Sequence, residues 1–247
     1  MTDQEKKTTK TLGLVVPAYN EEARIAKTLE GLLAQEEVTC NIVVVDNNSS
    51  DKTLEIAKTF PVKVVTESKQ GYIYAVNRGV EEVEGDYIAI CDADTLYPKE
   101  WSKNVVACFQ RKPDAVAVYG TCSTYDASPL QNALNKWFYT GFLRLSKTLG
   151  LHNTSGFNFI MKREAFLKVG GYNPAYKKMS PDIELGKRIA EVGPIVFDSK
   201  ITVASSFRRY QEGGTLKTQW LFLKSWWAML RGKEPDISYD QYNIEAS

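Results

Sequence analysis

Short, mostly apolar segments alternate with longer amphipathic segments along the first hundred residues of the chain. The segment LGLVVP at 12–17 has no polar face, whereas residues 21–34 repeat leucine and isoleucine at helical spacing. The segments predicted as strands lie at 12–17, 41–46, 61–65 and 86–92. The helices predicted between them lie at 21–34, 51–58 and 71–83. Strands that are apolar on both faces and separated by helices indicate an α/β fold with a parallel sheet covered on both sides.

The alternation is less regular after residue 95. Helices are predicted at 98–110, 129–149, 163–169 and 182–191. Strands are predicted at 115–122, 156–161, 195–197 and 201–204. The sequence contains neither an internal repeat nor a low-complexity linker. We therefore expect one folded domain over 11–210, with a disordered tail over 1–10 before it and an amphipathic helix and acidic tail over 211–247 after it.

Composition and charge exclude some classes of protein. The 247 residues include 31 Lys and Arg against 30 Asp and Glu, a formal net charge of +1, and 43% of them are hydrophobic. These values are typical of a globular protein and lack the basic excess of a nucleic-acid-binding protein, so we expect no nucleic-acid partner. Residues 1–10 lack the apolar stretch of a signal peptide, and no segment reaches the ~18 apolar residues of a spanning helix. We expect a cytoplasmic protein, either free or peripheral on the cytoplasmic face of a membrane.

Acidic side chains lie at the ends of three of the predicted strands. Glu21 and Glu22 follow the first strand, Asp46 ends the second, and Asp92 and Asp94 end the fourth. Because ligands of open α/β sheets bind beyond the carboxyl ends of the strands, these carboxylates are candidate ligand contacts. Residues i and i+2 of an extended segment point to the same side, so Asp92 and Asp94 are expected to face one cavity. Two hard oxygen donors suit Mg²⁺ or Mn²⁺, which complete their shells with substrate phosphates and water.

Glycine motifs that bind phosphate are absent from the sequence. There is no GxGxxG after the first strand and no GxxxxGK[ST]. A bound nucleotide would therefore lack a glycine-rich phosphate cradle, and a metal ion would be its natural phosphate partner.

Five motifs occur in the order and spacing of one known family. They are VVPAYNEEARIAKTLEGLLAQ (15–35), VVVDNNSSDKT (43–53), DAD (92–94), GFNFIMKREAFLKVGGYN (156–173) and SPDIELGKRI (180–189). Over residues 12–205 the chain resembles the GT-A fold glycosyltransferases of family 2. The resemblance implies a Rossmann-like, mostly parallel central sheet flanked by helices. It also implies a hexosyltransferase-type enzyme with a UDP- or GDP-linked sugar donor, a Mg²⁺ or Mn²⁺ cofactor and a glycan or lipid-linked acceptor.

The resemblance also implies roles for individual residues. Those matched to the nucleotide and diphosphate side are Pro17, Tyr19, Glu21, Asp46, Gly71, Asn77, Arg78 and Asp92. Asp46 matches the acid that hydrogen-bonds the base. Asp92 and Asp94 match the DxD motif, in which Asp94 is the expected direct metal ligand. Asp182 matches the general base of inverting members, so inversion of configuration is implied as well.

One position departs from the family pattern. The family often has Glu-Asp where this chain has Pro181 and Asp182. Proline suits the first turn of a helix, so Asp182 is expected near a helix N-terminus, where the dipole favours its ionised form. Glu184 and His152 are candidate contacts on the acceptor side, and His152 is also a candidate metal ligand. A simple helix-start acid and an ordinary loop histidine are the alternative interpretations of Asp182 and His152.

Two other functions are alternatives to glycosyl transfer. One is a metal-dependent phosphoryl transferase with Asp92 as its nucleophile, but Leu96 stands at the fifth place of the acidic motif, where such enzymes have Thr or Val. The other is a non-catalytic, membrane-associated protein that binds nucleotide sugars. The presence of both Asp94 and Asp182 argues against it.

The near-neutral total charge conceals a basic segment near the C-terminus. Residues 200–233 carry seven basic residues and one acidic residue, whereas residues 234–247 carry four acidic residues and no basic one. The predicted helix at 216–230 places Trp220 and Trp227 on a broad apolar face with a basic stripe opposite. Such a helix either lies in a membrane interface or packs on the domain with its lysines in solvent.

A pair of arginines precedes this helix. Arg208 and Arg209 are candidates for binding the donor diphosphate or the phosphate of a lipid acceptor. A basic surface loop is the alternative interpretation of the same pair.

Overall fold

The computed structural model describes residues 10–176, 178, 180–205 and 215–235 of the chain. Its strands are β1 Leu12–Ala18, β2 Cys40–Asp46, β3 Lys63–Thr66, β4 Tyr87–Ile90, β5 Thr95–Leu96, β6 Ala117–Thr124, β7 Phe159–Lys162 and β8 Ile195–Ser205. Its α-helices are α1 Ile25–Leu33, α2 Thr53–Ala57, α3 Tyr72–Glu82, α4 Trp101–Arg111, α5 Pro129–Thr148, α6 Arg163–Lys168, α7 Pro181–Val192 and α8 Thr215–Leu230. A short 3-10 helix at Gly156–Asn158 directly precedes β7.

The strands of the described residues form one sheet in the order β3-β2-β1-β4-β7-β6-β8-β5. The neighbours among β1 to β4 pair in parallel, and β6 pairs in parallel with β8. β7 is antiparallel to β4 and to β6, and β5 is antiparallel to β8. Helices flank this sheet, so the predicted α/β architecture is confirmed. Because β7 runs opposite to β4, the amino end of β7 lies at the same edge as the carboxyl ends of β1 to β4.

Both faces of the sheet are buried. Along β1, Leu14 and Val16 pack into one hydrophobic cluster, and Val15 packs into the other. Helices α1, α2 and α4 contribute to the first cluster, and α3, α5, α6 and α7 contribute to the second. This two-sided burial explains why the strand has no polar position.

Three predictions about elements need correction. The segments at 195–197 and 201–204 belong to one strand, β8, because the polar residues between them continue the chain beside β6 across an irregularity in the register. The two-residue strand β5 was not predicted. Residues 156–158 form a 3-10 helix rather than the start of a strand, and the side-chain amide of Asn158 there donates to the carbonyl oxygens of Thr121 and Ile201.

The last described helix, α8, packs on the domain through one face. The ring of Phe142 in α5 lies 5.7 Å from that of Phe222 and 5.2 Å from that of Trp226. The opposite face of α8 leaves Trp220 and Trp227 exposed. In the ranges that the structure describes, no helix combines the length and the apolar character needed to cross a bilayer. Residues 1–9 of the predicted N-terminal tail and residues 211–214 and 236–247 of the predicted C-terminal segment lie outside the described residues. The predicted domain limits stay predictions.

Candidate active site

The candidate site lies at the edge of the sheet where β1 to β4 end and β7 begins. The strand register aligns Ala18 with Asp46 and Asp46 with Thr66. Phe159, the first residue of β7, pairs with Ile90, the last residue of β4. The carboxylate of Asp46, the acidic turn after β4 and the residues before β7 therefore meet at one edge, where α/β sheets bind ligands.

Side-chain hydrogen bonds join the loops that follow β1 and β2. Asn20, which has a left-handed φ of 54°, accepts a hydrogen bond at its Oδ1 from the backbone N–H of Ser50 at 2.8 Å. The backbone N–H of Glu21 donates to Thr53 Oγ1 at 2.7 Å. These bonds fix the segment that carries the predicted nucleotide contacts, in which Tyr19 is exposed and Pro17 and Glu21 are half-buried.

The carboxylate of Asp46 is buried and incompletely hydrogen-bonded. Asp46 is only 4% exposed. Its Oδ2 accepts a long hydrogen bond of 3.4 Å from the N–H of Ser49, whereas its Oδ1 has no hydrogen-bond partner. A buried acceptor without a partner is rare and costs about 1–3 kcal/mol. Asp46 Oδ1 is therefore a candidate acceptor for a donor group of a ligand.

Asn47, the next residue, organises the loop after β3. Its Nδ2 donates to the carbonyl oxygens of Glu67 and Lys69 at 2.8 and 2.9 Å, and its Oδ1 accepts from the N–H of Gly71 at 2.7 Å. Gly71 has a φ of 135°, a conformation that favours glycine, and it directly precedes α3. Asn47 thereby positions Gly71, predicted on the diphosphate side, and Tyr72, the first residue of α3.

Asp92 and Asp94 lie on a turn, which corrects the prediction that they end an extended strand. β4 ends at Ile90, and the N–H of Thr95 donates to the carbonyl oxygen of Asp92 at 3.2 Å, which closes the turn. Both aspartates are half-buried, and Ala93 between them is buried. Ala93 is held by its carbonyl oxygen, which accepts a 2.8 Å hydrogen bond from the hydroxyl group of Thr28.

The oxygen donors on this turn fit a hard divalent cation. Carboxylates are the ligands that Mg²⁺ and Mn²⁺ prefer, and these ions retain positions for phosphate oxygens and water. Within the described part of the chain, no group of three or more His, Cys, Asp and Glu side chains is arranged to hold a metal. A cation held by Asp92 and Asp94 would retain positions for the oxygens of a substrate diphosphate and for water.

Asp182 is the second residue of α7 and follows Pro181, so its predicted position at a helix N-terminus is confirmed. The hydroxyl group of Tyr172 donates to Asp182 Oδ1, and that of Tyr72 donates to the same oxygen at 3.3 Å. The N–H of Gly156 also donates to this carboxylate. Burial raises the pKa of Asp182, and these hydrogen bonds oppose the rise because they stabilise the ionised form.

Gly156 lies beside the contact between Asp182 and Tyr72, and its lack of a side chain leaves room for that contact. A Cβ atom on Gly156 would lie 2.4 Å from the Tyr72 hydroxyl oxygen and 2.9 Å from Asp182 Oδ1. Any larger residue at position 156 must displace one of these two groups.

Tyr172 is fixed by two other side chains. Asn77 Nδ2 donates to the Tyr172 carbonyl oxygen at 2.9 Å, and Asn77 Oδ1 accepts from the Tyr172 N–H at 3.1 Å. Arg188 donates to the carbonyl oxygen of Gly171 at 2.8 Å and forms two 2.7 Å hydrogen bonds with Glu184. Asn77 and Glu184 therefore support the Tyr172 segment, and the direct contacts predicted for them with diphosphate and acceptor stay predictions.

The predicted site residues not yet placed are Arg78, His152, Arg208 and Arg209. Arg78 pairs with Glu82 at 2.6 Å, so it is directed toward the carboxyl end of α3 and away from Gly71. His152 makes an edge contact with Tyr119, with ring centroids 5.8 Å apart, and lines a cavity of about 320 Å³ formed with residues of α7 and α8. Burial lowers the pKa of His152. The structure does not describe Arg208 and Arg209.

A family model supplies the assignment of the chain. The model described as Glycosyl transferase family 2 matches residues 14–170. The chain belongs to this family. Among the proteins similar to this chain, an uncharacterized glycosyltransferase from Haemophilus influenzae is 27% identical over 179 residues, which cover 68% of this chain and 58% of the relative. A glucosyl-dolichyl phosphate glucuronosyltransferase from Haloferax volcanii is 25% identical over 250 residues, which cover 93% of this chain and 79% of the relative.

A solved structure agrees with the fold. The mannosyltransferase PcManGT from Pyrobaculum calidifontis, in complex with GDP-Man and Mn²⁺, is similar with a TM-score of 0.68 and 22% identity over 97% of this chain and 70% of that chain. The mixed sheet flanked by helices is therefore the GT-A fold. The chain spans only 58%, 53% and 54% of the length of several curated relatives that it matches.

Two tyrosines at the centre of the site were not predicted as site residues. Tyr72 lies in QGYIYAVNRG, the segment that contains the matched residues Gly71, Asn77 and Arg78. Tyr172 lies in GGYN, the end of the motif at 156–173. Hydrophobic periodicity treats a tyrosine as an apolar residue, so it gives no sign that a hydroxyl group will meet Asp182. The proximity of both tyrosines to family 2 motifs was the only available signal.

Proposed function

We propose that this chain transfers a sugar from a UDP- or GDP-linked donor to a hydroxyl group of an acceptor, with Asp182 as the general base and with inversion at the anomeric carbon. The observation that carries this proposal is the Asp182 carboxylate, held at a helix N-terminus by the hydroxyl groups of Tyr72 and Tyr172. Membership of family 2 supports the reaction class.

The base of the donor would bind at Asp46. The unpartnered Asp46 Oδ1 is a buried acceptor, and the imino and amino groups of uracil and guanine are hydrogen-bond donors. Tyr19, exposed after β1, is available to contact the base or the ribose. The GDP-Man complex of the structurally similar mannosyltransferase supports a nucleotide-sugar donor.

The diphosphate would lie beside Asp92 and Asp94, which would hold a Mg²⁺ or Mn²⁺ ion. Such an ion, when bound, neutralises the negative charge that develops on the leaving diphosphate. The donor set of the turn and the Mn²⁺ in the mannosyltransferase complex support this cofactor. Gly71 lies beyond β3 and precedes α3, and the amino end of that helix favours negative charge.

Asp182 would take the proton of the attacking hydroxyl group. The acceptor oxygen forms a bond to the anomeric carbon, the bond from that carbon to the phosphate oxygen breaks, and the nucleoside diphosphate leaves with the electron pair. The hydroxyl groups of both tyrosines donate to Oδ1 of Asp182. Burial makes the carboxylate more basic than an exposed one, which favours proton removal.

The acceptor is proposed to be a glycan or a lipid-linked molecule, with a lipid phosphate as the alternative nucleophile. The name of the Haloferax volcanii relative, a glucosyl-dolichyl phosphate glucuronosyltransferase, supports a lipid-linked acceptor. We also propose a cytoplasmic location, peripheral on the cytoplasmic face of a membrane, where a lipid-linked acceptor would be within reach.

A donor screen tests this proposal. Release of nucleoside diphosphate from a panel of UDP- and GDP-sugars would be measured with Mn²⁺, alone and with candidate acceptors. We expect at least one donor to react, and we expect Asp182→Asn to retain donor binding but lose turnover. Asp114→Asn is the matched control, because Asp114 is exposed before β6, at the opposite edge of the sheet. Binding without turnover for every donor and acceptor would favour a non-catalytic protein.

A further inference from the structure

We propose that the outer faces of α5 and α8 together form a docking surface for an anionic lipid membrane. The surface consists of Leu130, Leu134, Trp137, Phe138 and Leu145 of α5 and Trp220, Leu223 and Trp227 of α8. All eight side chains are exposed, and Trp137 and Trp220 have 69% and 67% of their surface in solvent. The sequence indicated only the α8 part of this surface.

The two helices lie side by side. Trp226 Nε1 of α8 donates to Ser146 Oγ of α5 at 2.9 Å, and the ring of Phe142 packs against Phe222 and Trp226. The buried Leu143 and Ser146 mark the inner side of α5, and the buried Ser225 and Met229 mark the inner side of α8. These contacts show which face of each helix is turned toward the domain.

The exposed apolar residues lie opposite the buried ones on each helix. At 100° per residue, positions 130, 134, 137, 138 and 145 of α5 form one stripe, roughly half a turn away from Leu143. Positions 220, 223 and 227 of α8 form a second stripe, roughly half a turn away from Ser225. Both helices therefore turn their apolar stripes away from their buried side chains, and the two stripes belong to the outer surface of the same helix pair. Large exposed apolar faces of this kind are rare on soluble monomers.

The charge of the two helices identifies the occupant. Neither α5 nor α8 contains an acidic residue, although the whole chain has 30. Their basic residues are Lys136, Arg144, Lys147, Lys217 and Lys224. Arg231, just after α8, lies over the ring of Trp227 with its guanidinium carbon 4.5 Å from the ring centroid. Tryptophans and apolar side chains with basic residues beside them match the interface and headgroups of an anionic bilayer.

A second copy of the chain fits this surface less well. If two copies associated through it, the basic residues of one copy would meet those of the other without acidic partners from either helix. An anionic membrane provides the opposite charge along with an apolar interior.

The surface is linked to the candidate active site through α7. Lys187 Nζ of α7 donates to the carbonyl oxygen of Met229 in α8 at 2.9 Å, and Ile183 and Met229 belong to one hydrophobic cluster. Ile183 follows Asp182 directly. The helix that begins at the candidate base therefore packs on a helix of the docking surface, which would place the site close to lipid-linked molecules. The docking itself does not depend on the proposed transfer reaction.

Vesicle flotation tests the docking surface. The purified chain would be mixed with vesicles of phosphatidylcholine, with and without one third phosphatidylglycerol. We expect it to float with the anionic vesicles and to bind phosphatidylcholine vesicles more weakly. Trp137→Ser with Phe138→Ser, and separately Trp220→Ser with Trp227→Ser, should each weaken binding about tenfold or more. Arg144→Gln with Lys224→Gln should weaken binding only to the anionic vesicles, by about fivefold per charge.

Leu167→Ser is the matched control, because Leu167 is 59% exposed on α6 and lies outside the surface. It should float like the unchanged protein. Absence of flotation, or an equal loss in the Leu167→Ser variant, would overturn the proposal. Self-association that is lost in the tryptophan variants, in a protein that does not float, would assign the surface to a second copy instead. Nucleotide binding is measured separately, without vesicles. A protein that binds nucleotide but does not float contradicts the docking surface alone, and a protein that floats but binds no nucleotide contradicts the proposed transfer function alone.

Discussion

The hydroxyl group of Tyr172 donates a hydrogen bond to the carboxylate of Asp182, ten residues further along the chain. Burial alone makes this carboxylate harder to ionise, and the hydrogen bond makes it easier. The same pairing raises the pKa of Tyr172, after burial, because the charge of Asp182 opposes ionisation of the phenol. Tyr172 therefore remains a donor while Asp182 is charged, and the basicity of Asp182 depends on this hydrogen bond.

Tyr172→Phe should raise the pKa of Asp182 further, because burial then acts with less opposition. Since the base must be ionised to accept a proton, the acidic limb of the pH–rate profile should move to higher pH. The measurement is kcat/KM for transfer against pH. Tyr72→Phe should move the limb in the same direction but less, because its hydrogen bond is longer at 3.3 Å. An unchanged limb in both variants would mean that the tyrosines do not control the base.

The raised pKa of Asp182 also predicts how stability depends on pH. A carboxyl group whose folded-state pKa is above its unfolded value stabilises the fold below the unfolded pKa, and this contribution is lost as the pH rises through the folded pKa. The Asp182→Asn variant has no ionisable group at this position, so its stability lacks this pH-dependent contribution. The thermal midpoint of Asp182→Asn relative to the unchanged protein should therefore increase from acidic to neutral pH. A difference that is constant or falls would contradict the direction of the pKa shift.

Gly156→Ala should reduce transfer by about 100-fold, because displacement of catalytic groups by about 1 Å has effects of that size. Its Cβ would lie within 2.4 Å of the Tyr72 hydroxyl oxygen and 2.9 Å of Asp182 Oδ1. Gly141→Ala in α5 is the control, since a Cβ there meets nothing within 4 Å. The control should keep its activity and gain up to about 1 kcal/mol of stability from helix propensity. Equal activities of the two variants would show that the contact at Gly156 is unimportant.

Asp46→Asn should weaken nucleotide binding by about 10- to 100-fold, because a hydrogen bond to a charged acceptor contributes about 1.5–3 kcal/mol. It should not destabilise the protein without nucleotide, since Oδ1 of Asp46 has no partner to lose. Calorimetric titration and thermal unfolding of the same preparations measure the two effects. Loss of stability with unchanged nucleotide affinity would assign Asp46 a structural role only.

The alternation of the first four strands with helices was predictable because β1, β2 and β4 are largely apolar and buried. β3 lies at the edge of the sheet, where Lys63 and Thr66 are exposed. The continuity of β8 was not predictable, because Asp198, Ser199 and Lys200 interrupt its apolar pattern at the point where its register with β6 is irregular. The position of Asp182 at the start of α7 followed from Pro181, whose geometry suits a first helical turn.

The hydrogen bonds from Tyr72 and Tyr172 to Asp182 could not be predicted from the sequence pattern. Tyr72 and Tyr172 are 100 residues apart in the sequence, and only the folded chain brings both hydroxyl groups to one oxygen. The pairing of Arg78 with Glu82 shows the same limit, since a motif gives the residue but not the direction of a long side chain.

Titration calorimetry with UDP and GDP, in the presence and absence of Mn²⁺, tests the central claim most directly. We predict that at least one of the two nucleotides binds, that Mn²⁺ strengthens the binding, and that Asp94→Ala removes the Mn²⁺ dependence while Asp182→Asn preserves it. The absence of binding by either nucleotide with Mn²⁺ would contradict the assignment of this sheet edge as a nucleotide-sugar site.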